Sequence, residues 1–167
     1  METKEWVEEL RKSLSKGSHV NAFEVLTAFD PLIELNDDLL LILIDCLSCP
    51  YYPIREHALI KLEPFTHIDF VRSAVIQGMQ DDASRIREAT ADILSKHIES
   101  DKTILPLLKN SLRDESPFVV DKILTILEPY IEKDKEFIIN ECLQNKYLLL
   151  NTFEILKKYA IGPESEV

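Results

Sequence analysis

The chain has 167 residues, 46% hydrophobic and 29% charged, with three Gly and eight Pro, a balance expected of one ordered, water-soluble domain that needs neither disulfides nor a structural metal. Its net charge of −11 repels phosphate backbones and anionic lipid heads, so neither nucleic acid nor a membrane is an expected partner. No apolar run approaches the roughly 18 residues of a membrane span, Met1-Glu2-Thr3-Lys4-Glu5 lacks the basic-then-apolar order of a secretion signal, and three Cys fit a reducing, cytoplasmic compartment.

So few glycines leave little room for the turns of a many-stranded sheet, and the expected class is all-α. In chain order, the first helical pair is expected at about 3–16 with 18–29, its leading helix carrying Trp6, Leu10 and Leu14. Three central pairs follow at about 36–48 with 52–65, 67–80 with 84–98, and 101–113 with 116–131, and a last pair at about 134–145 with 147–160. Thr103 is placed to cap a helix whose first turn holds Pro106, while Pro64 and Pro129 fall where their helices stop. Residues 161–167, with Gly162 and Pro163, read as a flexible tail on a single domain spanning 1–160.

The pairs repeat. Leu62-Glu63-Pro64-Phe65 returns as Leu127-Glu128-Pro129-Tyr130, with Leu94-Ser95-Lys96-His97 midway, and the Leu-x-x-ring pattern extends outward to Leu26 with Phe29 and Leu156 with Tyr159. In the central copies Ile54, Ile86 and Val119, then Ala58, Thr90 and Ile123, precede that Leu by eight and four positions, which is one face of a helix. The partner helices carry the rows Leu39, Val71, Ile104; Leu43, Val75, Leu108; and Leu47, Met79, Leu112, the last of which Leu14 and Leu143 continue into the end copies. A small-residue row, Cys46, Gly78 and Ser111, marks where paired helices cross. A period near 32 residues means stacked helical hairpins, five in number, with atypical end copies that cap the stack.

The stretches Gln80-Asp81-Asp82-Ala83-Ser84-Arg85-Ile86-Arg87, Arg113-Asp114-Glu115-Ser116-Pro117-Phe118-Val119 and Ile54-Arg55-Glu56-His57-Ala58, with the run Leu105-Pro106-Leu107-Leu108, resemble HEAT repeats. Val120 stands where the family pattern has Arg in the fourth pair, and Thr90 and Ile123 stand where it has Ala. The resemblance implies a right-handed α-α superhelix, a HEAT-like solenoid of about five hairpins, whose inner helices line a concave surface used to bind proteins.

On that surface the exposed positions are expected to be Asn21 and Glu24, His57 and Lys61, Asp92 and Lys96, Lys122 and Thr125, and Asn151 and Glu154. The mixture of signs and hydrogen-bonding groups suits a peptide or protein segment better than a polyanion, although a solvated face accounts for the same residues. The run Leu39 to Ile44 is apolar on every side, which calls for cover on both faces. Either the segment 30–35 folds over it, or Leu40, Leu41 and Ile44 contact a partner.

Little else suggests chemistry. Cys46-Leu47-Ser48-Cys49 is a lone C-x-x-C that closes a helix instead of opening one, so packing is favoured over redox work. His57 and His67 lack the spacing of a zinc site. Arg55 and Arg87 are expected to pair with turn acids such as Asp81 and Asp114 rather than with phosphate. Phosphate loops, nucleophile elbows and His-Glu-x-x-His helices do not occur. The expectation is a non-enzymatic adaptor, scaffold or inhibitor without cofactor or metal. The alternative, drawn from the same resemblance, is an enzyme or enzyme subunit of the phycobilin-lyase or, less favoured by the charge, DNA-glycosylase type.

Overall fold

A computed structural model describes residues 3–28, 36–145 and 149–161. Among these residues there are ten α-helices and no strand: α1 (Thr3–Ser15), α2 (His19–Ala28), α3 (Asp37–Cys46), α4 (Tyr52–Leu62), α5 (Asp69–Ile76), α6 (Ser84–Ser95), α7 (Ile104–Asn110), α8 (Pro117–Leu127), α9 (Ile131–Leu143) and α10 (Leu150–Ile161). Phe29, the segment 30–35 and the tail from 162 lie outside the described residues.

Local chemistry sets the ends. At the close of α1, the amides of Gly17 and Ser18 donate to the Leu14 and Ser13 carbonyls at 3.0 Å each, and Gly17 turns the chain at φ 67°, a conformation that suits a residue without Cβ. Asn36 caps α3 by accepting from the Leu39 amide at 2.8 Å. Pro53 and Pro117 open α4 and α8, where a missing N–H costs nothing. Pro64 and Pro129 cannot donate an i→i−4 bond, so both helices tighten into 3-10 turns at Glu63–Phe65 and Glu128–Tyr130. The cap expected from Thr103 comes instead from Asp101, whose Oδ1 accepts from the Thr103 amide at 3.0 Å and from its hydroxyl at 2.6 Å. Thr103 already has helical dihedrals, so its side chain is turned away from the first-turn amides.

The chain divides into two compact units, 1–90 and 91–167. In the first, α1 packs on α2 and α3, α2 and α3 each pack on α4, and α5 lies against α3 and α4. Each of α1 to α4 therefore meets both its hairpin partner and the equivalent helix of a neighbouring hairpin. The Trp6 ring is fully buried, and its Nε1–H donates to the Val25 carbonyl at 2.7 Å, tying α1 to α2. In the second unit, α8 packs on α7 and α10, α9 packs on α10, and the 3-10 turn Ser111–Arg113 lies against α8 and α9.

The repeated apolar rows are the core. Leu39, Val71 and Ile104, Leu43, Val75 and Leu108, Ile54, Ile86 and Val119, Ala58, Thr90 and Ile123, and Leu62, Leu94 and Leu127 are all buried. Burial of each large aliphatic side chain contributes about 1.5–3 kcal/mol. The last copy departs from the expected register: Leu143 is 62% exposed, and the buried stripe of α9 runs through Ile138 and Cys142. A break at Asp134 (φ −136°, ψ 30°) interrupts that helix close to where the expected segments 116–131 and 134–145 part.

The apolar run in α3 is likewise not enclosed all round. Leu39, Leu40, Ile42 and Leu43 are buried, Ile44 is half-buried, and Leu41 is 51% exposed. Leu40 therefore belongs to the core and not to an outward contact surface, because its side chain shares the inward stripe with Leu43.

Candidate functional site

The polar residues singled out on the even-numbered helices fall in both units, and each unit holds its own in a different way. In the first unit Asn21 and Glu24 on α2 are exposed, while His57 and Lys61 on α4 are half-buried. The His57 ring meets the Phe23 ring edge-on, with centroids 4.7 Å apart, and its Nδ1 lies 3.1 Å from the Pro53 carbonyl. His57 is thus fixed by an aromatic neighbour on the preceding even helix, and neither contact supplies a nucleophile.

In the second unit Asp92, Lys96, Thr125, Asn151 and Glu154 are exposed and Lys122 is half-buried. The Lys122 ammonium donates to Asp92 at 2.9 Å, linking α6 to α8. Between α8 and α10 the centre is Asp121, a residue the positional rule passed over. It accepts from Asn151 Nδ2 at 3.1 and 3.2 Å and from the buried Thr152 hydroxyl at 2.7 Å. Asn151 also donates to the Thr125 hydroxyl at 3.1 Å. One signal in the sequence points to these pairs: Asp92 to Lys122 and Asp121 to Asn151 are each 30 residues apart, one repeat. Within the second unit these contacts form a ladder whose rungs join neighbouring even helices.

A second recurrent device lies at the turns within the first unit. Arg55, only 6% exposed, donates through Nη1 to the Cys49 and Pro50 carbonyls at 2.7 and 3.2 Å. Its Nε and Nη2 grip Asp81 at 2.7 Å each, and Nη2 also reaches Asp82. Arg87 repeats the first half, donating to the Asp81 and Asp82 carbonyls at 2.7 and 3.2 Å. Each Arg thus closes the turn six and five residues before it. Asp81 also accepts from the Ala83 amide at 2.9 Å, as Asp114 does from the Ser116 amide at 2.8 Å, so the turn acid starts the next even helix. The bond to Asp81 raises the Arg55 pKa against the opposing effect of burial. Burial pushes the Asp81 carboxyl up, but Arg55 and the Ala83 amide more than offset it and hold the group below its ordinary value. These arginines are committed to turn carbonyls and carboxylates, which agrees with the structural pairing expected for Arg55 and gives phosphate no opening there.

Cys46, Cys49 and Cys142 are all free thiols. Burial first, then neighbouring acidic groups, pushes Cys46 and Cys142 up to about 12, so both stay protonated at neutral pH. Among the described residues no group of three or more His, Cys, Asp and Glu side chains is arranged to hold a metal ion. No helix among them is long and apolar enough to cross a membrane. Comparison with protein-family models, curated proteins and solved structures finds no match to this chain.

Proposed function

We propose that this protein is a HEAT-like right-handed solenoid of about five hairpins that acts as a non-enzymatic adaptor, scaffold or inhibitor, binding a protein or peptide along the polar face of its even-numbered helices. The observation that carries this reading is the ladder Asp92–Lys122 and Asp121–Asn151–Thr125, which arrays charges of both signs and amide and hydroxyl groups along successive helices. An extended polypeptide offers a partner for such a row, since its own amides and carbonyls recur along its length. Mixed signs set register and specificity more than affinity, and the net charge of −11 weighs against a polyanion.

The test exploits the rung itself. Exchanging Asp92→Lys with Lys122→Asp keeps an ion pair and inverts the local pattern. Affinity purification followed by titration of the recovered partner should show at least tenfold weaker binding for the exchanged protein, with an unchanged helical circular dichroism spectrum. Equal binding by both proteins would remove this face from the interface. Tight binding of duplex DNA at physiological salt would overturn the adaptor reading in favour of the glycosylase-type alternative.

A further inference from the structure

A cavity of about 330 Å³ opens in the first unit, lined by Arg11 and Ser15 of α1, His19 at the start of α2, Asp45 of α3, and Cys49. The left-handed turn at Gly17 brings His19 to this place, and the closing turn of α3 brings Cys49. The Cys49 Sγ and His19 Nδ1 lie 3.7 Å apart, within hydrogen-bonding reach for sulfur. The imidazole is held on its other side by the Tyr51 ring, stacked at 5.9 Å between centroids. Here a thiol, a proton acceptor and a solvent-connected space converge.

The three cysteines differ in the features that govern thiol chemistry. Cys46 and Cys142 are 0% exposed, with pKa values near 12, so their thiolate fraction at neutral pH is negligible. Cys49 is 7% exposed, borders the cavity and has an imidazole neighbour. Such slight exposure admits only a small reagent, and the wall sets Arg11, Ser15, His19 and Asp45 beside the apolar Leu14, Ile42 and Pro50.

We propose that Cys49 is a site of oxidation by a small hydroperoxide, with His19 carrying the proton. The Sγ proton passes to His19 Nδ1, and the thiolate attacks one peroxide oxygen. The S–O bond forms as the O–O bond breaks, and the sulfur gives up two electrons to the peroxide. The departing oxygen takes the proton back from the imidazolium, so hydrogen peroxide leaves as water and Cys49 becomes a sulfenic acid.

The reduced, full-length protein is exposed to dilute hydrogen peroxide in the presence of a 1,3-diketone that traps sulfenic acid, and each cysteine is followed by peptide mass spectrometry. Cys49 should be trapped at least about tenfold faster than Cys46 or Cys142. His19→Gln should slow Cys49 by about tenfold or more while leaving the other two unchanged. Equal rates at the three cysteines of the unaltered protein would overturn the proposal without any variant. A rise of Cys49 and Cys46 together in His19→Gln would also overturn it, because the imidazole would then serve only to close the packing.

Discussion

The two units solve the same problem, holding one hairpin against the next, with different chemistry. In the first, Arg55 sends a buried guanidinium to two turn carbonyls and to the carboxylate of the following turn. In the second, the equivalent position on α8 is Val120, 1% exposed, and the polar links are divided among several pairs, of which Arg113–Glu141 keeps its carboxylate buried. There Arg113 pairs with Glu141, Lys109 with Asp134, Lys122 with Asp92 and Asn151 with Asp121. A desolvated fork concentrates stability in one residue, because its loss strands a partly buried acid and two carbonyls. An apolar contact with several separate pairs, Lys122–Asp92 among the more exposed of them, divides it among more residues.

That contrast is sharpest at Arg55. Arg55→Ala should destabilise the protein by about 3 kcal/mol or more, since removing one partner of a buried pair leaves the other uncompensated. Urea denaturation monitored by circular dichroism would show it, and a loss under about 1 kcal/mol would mean that water replaces the guanidinium at the turn.

The next effect belongs to the helix crossing of the same unit. A Cβ at Gly78 would stand 2.3 Å from Thr90 Oγ1, and that hydroxyl is buried without a hydrogen-bond partner among the described residues. Gly78→Ala should cost about 1–3 kcal/mol. Adding Thr90→Ala should recover much of it, because the clashing atom and an unsatisfied hydroxyl leave together. Simple additivity in a double-mutant cycle would place the strain elsewhere.

Acid should weaken this unit through Asp81. Its folded pKa lies below the unfolded value, so its contribution is present above the ordinary carboxylate range near 4 and is lost as pH falls through the folded value. Melting temperature should drop on acidification below about pH 4, and Asp81→Asn should flatten the part of that drop due to this group. An identical profile in the variant would assign acid sensitivity to other carboxylates, Glu141 first, since its bond to Arg113 also lowers its pKa. The smallest effect is expected in the second unit: Lys122→Ala should change stability by less than about 1 kcal/mol, its partner Asp92 being about half exposed. A larger loss would show that the ladder is cooperative.

The helices and their core rows were legible in the sequence because each obeys a short-range rule repeated every 32 or so residues. A stripe at i, i+4 and i+8 marks all three central copies, with a turn acid in two of them and a proline stop in two, so Leu62, Leu94 and Leu127 are buried alike. The pairing of Arg55 with Asp81 was readable for the same reason, since stacking brings a residue close to one about a period away. The same argument reaches Asp92 with Lys122 and Asp121 with Asn151 once the period is applied to polar residues.

What remained out of reach depended on phase and on the third dimension. The break at Asp134 falls close to the expected boundary between 131 and 134, but Cys142 is buried where Leu143 was expected, a one-position difference in phase that spacing alone does not fix. Leu40 and Leu41 are adjacent and alike in chemistry, yet one is buried and the other half exposed. Only the direction in which α3 meets its neighbours distinguishes them. His19 and Cys49 lie 30 residues apart, the interval that also separates Asp92 from Lys122, but neither stands in a repeated row that would announce the pair. Their contact comes from a glycine turn at one helix end and a closing turn at another, and such convergence is a property of packed elements that local sequence does not encode.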